Sequence, residues 1–128
     1  MHLYLQILIL LHFQLKSKQT KIITVTSGKI LDVAINLKKK SNDFGKAYYF
    51  LLKEGDTVFI PNHFAHGYEC LSKNATIIYH LDNYRDAKNE SGIPFNDETL
   101  RIKWKTKNPI ISERDKNHSN FLDFKNKY

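Results

Sequence analysis

A single cysteine, Cys70, among 128 residues excludes an internal disulfide and suits a reducing, cytoplasmic setting. Long hydrophobic runs are also missing. The most apolar stretch, Leu3 to Leu11, falls far short of the roughly 20 residues that a spanning helix needs. It has no positively charged segment before it and no small-residue cleavage site after it, so it reads as a buried strand and no membrane partner is expected. Acidic residues are the minority charge. With 13 Asp+Glu against 20 Lys+Arg the net charge is +7, which suits an anionic ligand such as a phosphate, nucleotide or nucleic acid. A recognition-helix pattern, zinc-finger spacing and an aromatic RNA-binding signature are all lacking, and no nucleic-acid partner is expected. The densest basic run, Lys38-Lys39-Lys40, lies between two apolar runs and reads as a solvated turn. No internal repeat or low-complexity stretch divides residues 1–128, which form a single domain large enough for one core without metal or disulfide staples.

What the chain does have is a succession of short β-branched and aromatic runs with turn signals between them. Ile22 to Thr26 is followed by Ser27-Gly28, and Ile30 to Leu37 by the polar Lys38 to Asp43. Tyr48 to Leu52, Thr57 to Ile60, Tyr68 to Leu71 and Ala75 to Leu81 continue the series, with a turn at Lys53-Glu54-Gly55-Asp56. The pattern predicts an all-β sandwich, jelly roll or small barrel. After Tyr84 the residues become loop-like through Asp97, followed by Leu100 to Trp104 and Pro109 to Ser112. The polar tail carries Phe121, Leu122 and Phe124, a short C-terminal helix with Ser119 as its cap.

One stretch stands out, Phe59-Ile60-Pro61-Asn62-His63-Phe64-Ala65-His66-Gly67. Pro61 cannot donate to a ladder and should close one strand, and Gly67 should let the chain bend into the next, placing His63 and His66 on a bend at a sheet rim. They read either as ordinary loop histidines or, with Glu69, as a metal-ligand set. Three-residue spacing keeps His63 and His66 off a common strand face, and no metal is expected. Alternation sets Leu31, Val33, Ile35 and Leu37 on one face and Asp32 beside Ile30 and Ala34 on the other, where Asp32 is either solvated or lines a pocket. Tyr79 shares a face with Ile77 and Leu81, either as a core aromatic or with its hydroxyl bonded inside. His12 and Gln14 close the first run on the face of Leu10.

These residues carry a resemblance. The chain resembles the dTDP-4-dehydrorhamnose 3,5-epimerase family over about Leu11 to Asp115, in order and with similar spacing. Matching stretches are Leu11-His12-Phe13-Gln14, Gly28 to Ala34, Ser41 to Gly45, Ile60 to Gly67, Tyr79, Asn83-Tyr84, Phe95-Asn96-Asp97 and Pro109 to Asp115. The resemblance implies a cupin-like jelly roll with a nucleotide-sugar substrate, dTDP-linked, no cofactor and a homodimeric assembly. It implies His12 as general base, Asp115 as the aspartate that orients and charges it, Tyr79 as the proton donor from the opposite face, and Lys21 near the sugar's keto oxygen. Asp32 and His66 match positions that line or support the pocket, and Tyr84 falls where an aromatic lies close to the nucleotide sugar.

The implied reaction fits those residue types. A 4-keto group acidifies the hydrogens on C3 and C5, so a base can form an enolate and reprotonation on the other face inverts the centre. Histidine, with an ordinary pKa of about 6.5, suits a base near neutrality, while tyrosine at about 10 remains an acid. A lysine ammonium stabilises the developing enolate oxygen. The chain also departs from the family. Some fifty residues that usually precede the histidine motif are not in it, and it is expected to be an N-terminally shortened form. Ile9 and Leu10 replace an arginine and a glycine, so a phosphate contact is lost, and Met1 to Ile9 match no family segment. A noncatalytic or degenerate sugar-nucleotide-binding jelly roll, or a related 4-keto sugar ketoisomerase, are the alternative readings.

Overall fold

The computed structural model describes residues 8–14, 18–84, 90–106 and 120–127, with 8–14, 90 and 127 as backbone. They form β1 (Leu8–Gln14), β2 (Lys21–Ser27), β3 (Lys29–Asn36), β4 (Ala47–Lys53), β5 (Thr57–Ile60), β6 (Phe64–Cys70), β7 (Thr76–Leu81), β8 (Glu90–Ile93) and α1 (Phe121–Lys127). Two antiparallel sheets result, a large one in the order β4-β3-β6-β1-β8 and a small one in the order β5-β2-β7. Successive strands change sheet everywhere except between β3 and β4, the alternation of a jelly roll.

Burial explains the run of apolar residues in β3. Every residue from Ile30 to Asn36 is buried, because this central strand is covered on both faces. Its even-numbered face meets the small sheet: Ala34 packs with Ile23 and Ile60, and Ile30 with Val25 and Leu52. Its odd-numbered face, with Leu31, Val33 and Ile35, packs with Ala65, Ile93 and Phe121. Each fully buried isoleucine contributes about 2 kcal/mol relative to an exposed one. The C-terminal segment therefore belongs to the core. Asp97 anchors it by accepting hydrogen bonds from the backbone N–H of Thr99 (3.0 Å), Leu100 (2.9 Å) and Phe121 (2.7 Å).

Turns follow the sequence signals closely. Pro61 ends β5, and Gly28 between β2 and β3 has φ of +83°, where a Cβ would stand 2.2 Å from the Asn74 carbonyl oxygen. No L side chain fits there without moving backbone.

Two expectations are corrected. β6 begins at Phe64 rather than Tyr68, so His66 and Gly67 lie inside a strand and not on a bend. The turn is completed earlier, where Phe64 N–H donates to the Pro61 carbonyl at 3.2 Å, and Gly67 is then free to pair with Val33. β8 falls within the stretch expected to be loop; Glu90 to Ile93 have weak strand propensity, and pairing with β1 overrides it. In the first run the backbone register against β6 shifts between Ile9 and His12. At α1, Asn120 Oδ1 accepts from Asp123 N–H at 2.8 Å and is the cap observed, while Ser119 lies outside the described residues.

Candidate active site

The gap between the sheets changes character along its length. At one end Val25, Ile30 and Leu52 close it with aliphatic contacts. Two residues at a time along each strand, the inward positions then become polar. β2 runs from Val25 through Ile23 to Lys21, β6 from Cys70 through Tyr68 to His66, and β7 from Ile77 through Tyr79 to Leu81. Period-two alternation thus collects Lys21, Asp32, His66, Tyr68 and Tyr79 toward one end.

The centre of this group is a buried pair. His66 Nε2 and Asp32 Oδ2 are 2.6 Å apart, with His66 4% exposed and Asp32 fully buried. The contact comes from adjacent strands, because Ala34 pairs with His66 and Asp32 with Tyr68. The solvated reading of Asp32 is thereby excluded. Its other oxygen, Oδ1, has no hydrogen-bond partner among the described residues. His12 enters through β1, whose backbone pairs with His66 on one side and Gly92 on the other.

Across the gap, Tyr79 stands edge-on to the His66 ring, with centroids 6.0 Å apart. It pairs with Ile23, one inward position from Lys21, which is half-buried at the start of β2. Tyr79 is 40% exposed as a whole residue, so it is not a core aromatic, yet desolvation raises its phenol pKa well above the ordinary value of 10.0. Tyr68 and Asp32 raise it further. The phenol is a firmly protonated acid at neutral pH. Tyr84, beyond the end of β7, is 92% exposed. Asp115 lies outside the described residues.

The sequence did not single out Tyr68, although it stands two residues from His66 and hence on the same strand face. Burial raises its phenol pKa above the ordinary value of 10.0, and its ring lies 6.4 Å from that of His66 between centroids. His63, His66 and Glu69 do not converge as a ligand set. Glu69 lies on the other face of β6, where its carboxylate accepts from the backbone N–H of Lys105 (2.8 Å) and Thr106. His63 sits in the β5–β6 turn against Phe64, ring centroids 4.7 Å apart. No group of three or more metal-ligating side chains gathers among the described residues.

Such an arrangement can move protons. A histidine–carboxylate pair on one wall, a protonated phenol and an ammonium on the other can act on opposite sides of a molecule lodged between them.

A profile of the family described as dTDP-4-dehydrorhamnose 3,5-epimerase matches residues 6–123. This chain belongs to that family. The match is wider than the stretch expected from the sequence and takes in residues 6–9, which had no counterpart there. The Shigella flexneri dTDP-4-dehydrorhamnose 3,5-epimerase is 34% identical over 116 residues, which are 88% of this chain and 64% of the relative. The chain therefore spans less than two thirds of that epimerase's length. The crystal structure of the Elizabethkingia anophelis epimerase superimposes with a TM-score of 0.89 at 35% identity, covering 94% of this chain and 69% of that one. The Legionella pneumophila epimerase, solved in complex with dTDP-4-keto-L-rhamnose, gives a TM-score of 0.82 at 30% identity over 86% of this chain and 60% of that one. Membership of the epimerase family and the jelly roll thus rest on sequence and on fold together.

Proposed function

We propose that this chain is an isomerase that inverts C3, C5 or both in a dTDP-linked 4-keto-6-deoxyhexose, serving deoxysugar (rhamnose-type) and surface polysaccharide biosynthesis in the cytoplasm. The observation that carries the reading is the register of His12 beside His66, which holds buried Asp32 and faces Tyr79 across the gap. A relative solved with dTDP-4-keto-L-rhamnose supports the substrate class.

His12 acts as the base on one face of the sugar ring, with Asp115 fixing its tautomer and stabilising the imidazolium. Removal of the proton next to the carbonyl leaves an enolate, whose oxygen Lys21 stabilises. Tyr79 supplies a proton from the opposite face, a role for which its raised pKa keeps the hydroxyl intact. Asp32 and His66 form the wall beside the base, and Tyr84 contacts the nucleotide portion from the rim. The chemistry requires no cofactor.

Incubation with a dTDP-4-keto-6-deoxyhexose in deuterated water tests this directly. Deuterium should enter at C3, C5 or both, and no exchange at either carbon would overturn the reading. A nucleoside diphosphate should also raise the melting temperature, less so at high salt, while a neutral free sugar should not. We assign a homodimer, since the edge strands β4 and β5 leave ladder groups that a second chain can cover, and Leu51 and Phe59 on them are 52% and 62% exposed. Sedimentation at the mass of one chain at high concentration would refute the dimer alone.

A further inference from the structure

The outward face of the large sheet carries a groove that the proton transfers proposed above do not use. It holds about 400 Å3 between the edge strand β4 and the segment after β8, and is lined by Leu31, Tyr49, Leu51, Lys103 and Lys105. Register explains the floor. Leu31 pairs with Leu51 and Val33 with Tyr49, so period-two alternation puts these side chains on one face. Leu51 and Tyr49 are 52% and 41% exposed, while Leu31 is buried. A second alternation supplies the wall, where Ile102 and Trp104 pack against the core and Lys103 and Lys105 stay exposed.

The polar groups along this groove are donors. The Tyr49 hydroxyl accepts the backbone N–H of Lys103 at 3.0 Å, which leaves its own O–H to donate. Lys103 and Lys105 make no ion pair among the described residues, and the buried Glu69 carboxylate on the same face is spent on the backbone N–H of Lys105 and Thr106. The next pair along that face sets Lys29 opposite Lys53. Like charges directly across a ladder destabilise it, and an anion lying over them offsets the repulsion.

Such a surface complements an anion with an apolar body, and the spacing narrows the class. Two lysines two residues apart match two carboxylates two residues apart on an extended chain. An apolar side chain between those carboxylates turns the other way, onto the floor. A small molecule in so open a groove would stay largely in water, whereas a chain segment covers it along its length.

We propose that this groove docks an extended acidic segment of a partner protein, with its apolar residue on Leu31, Tyr49 and Leu51 and its flanking carboxylates on Lys103 and Lys105. The segment lies on the sheet face, so the ladder groups at the β4 edge remain for the second copy. The inference goes beyond the epimerase reading and does not depend on it.

The test uses the full chain and a labelled, end-blocked peptide with Glu-Leu-Glu at its centre, followed by fluorescence anisotropy. Binding should saturate at low salt and weaken as salt rises. Peptides with Gln-Leu-Gln or Glu-Ser-Glu instead should bind about tenfold less tightly, since each lacks one of the two kinds of contact. Equal binding by either would overturn the proposal. Lys103→Gln with Lys105→Gln should weaken the Glu-Leu-Glu peptide roughly tenfold, the worth of two exposed ion pairs. Leu51→Ser, at an exposed position, should weaken it by a similar factor. Full binding in either variant would overturn the groove, as would an equal loss in Lys40→Gln with Lys73→Gln, which removes the same charge elsewhere. Two other occupants are separated by the same variants. Phosphatidylglycerol vesicles that need Leu51 and Lys103 while the peptide does not would give the surface to a membrane and overturn the proposal. Loss of the dimer in Leu51→Ser with peptide binding intact would give it to the second copy, with the same consequence. Deuterium exchange into a dTDP-4-keto-6-deoxyhexose should match wild type in every variant. A docking failure therefore leaves the epimerase reading standing, and a wild type without exchange leaves the docking standing.

Discussion

Asp32 and Glu69 are both fully buried, on opposite faces of one sheet and on paired strands, but their oxygens meet different fates. Both Glu69 oxygens accept backbone N–H groups, from Lys105 and Thr106, and so clamp the segment after β8 onto the sheet. Asp32 uses one oxygen on His66 and leaves the other without a described partner. A buried carboxylate costs several kcal/mol unless hydrogen bonds offset its lost hydration. Glu69 recovers that cost inside the fold. Among the described residues Asp32 recovers only the part that its contact with His66 supplies. The contrast separates a carboxylate bonded to backbone on one face of the sheet from one bonded to a histidine side chain on the other, although both are fully buried.

The largest effect should come from the proposed base. His12→Ala should abolish deuterium exchange at both carbons, since without a base no enolate forms, while the melting temperature stays close to wild type. Full exchange in that variant would move the base elsewhere, with His66 the next candidate, and would break the assignment of the polar end as the reacting end.

Exchanging the two carboxylates for amides sharpens the comparison itself. Asp32→Asn keeps the shape and removes the charge beside His66, so exchange should fall roughly ten- to hundred-fold with little change in stability. Glu69→Gln turns an amide NH2 toward a backbone N–H and leaves a buried donor unmatched, at about 2 kcal/mol. Melting should then drop by roughly 5–10 °C with exchange per folded molecule unchanged. If Asp32→Asn cost only stability, or Glu69→Gln only exchange, the distinction between the faces would be lost.

Much of the architecture was legible because period-two alternation reports burial on a pleated strand. Thr57–Ile60 matched its expected bounds, and β3 divided its residues between two faces as the pattern required. Legibility failed where pairing outweighed local preference. Glu90–Ile93 forms a strand because β1 offers it a ladder, and nothing in Glu-Ser-Gly-Ile announces that. A proline and a glycine suggested a bend spanning Pro61 to Gly67, but a ladder partner at Val33 drew Gly67 into β6. For the site, the residue types came from family resemblance, whereas the His66–Asp32 contact needed two strands in register. Tyr68 was missed for a simpler reason: in a strand an aromatic residue ordinarily means packing, and only the register of β3 and β6 sets it beside Asp32.

The smallest effect concerns His63, the histidine of the same motif that stays outside the polar end. Burial, then Lys38 and Lys18, lower its pKa below the ordinary 6.5, with Asp43 opposing. The folded state therefore resists a proton that the unfolded chain accepts. As pH falls through 6.5 the unfolded chain gains that proton first, so stability is lost from there down to the folded pKa and is constant below it. Asp43, held below 3.8 by Ser41 and Tyr48, loses its own contribution only at more acid pH, so the His63 contribution is read in the interval between about pH 5 and pH 8. Melting curves of His63→Gln across that interval should fall less toward acid than those of the wild type, by a few degrees at most, with exchange at about pH 8 unchanged. A variant as acid-sensitive as the wild type would show that the turn is not the origin of the loss, and a variant that lost exchange would move His63 to the reacting side of the comparison.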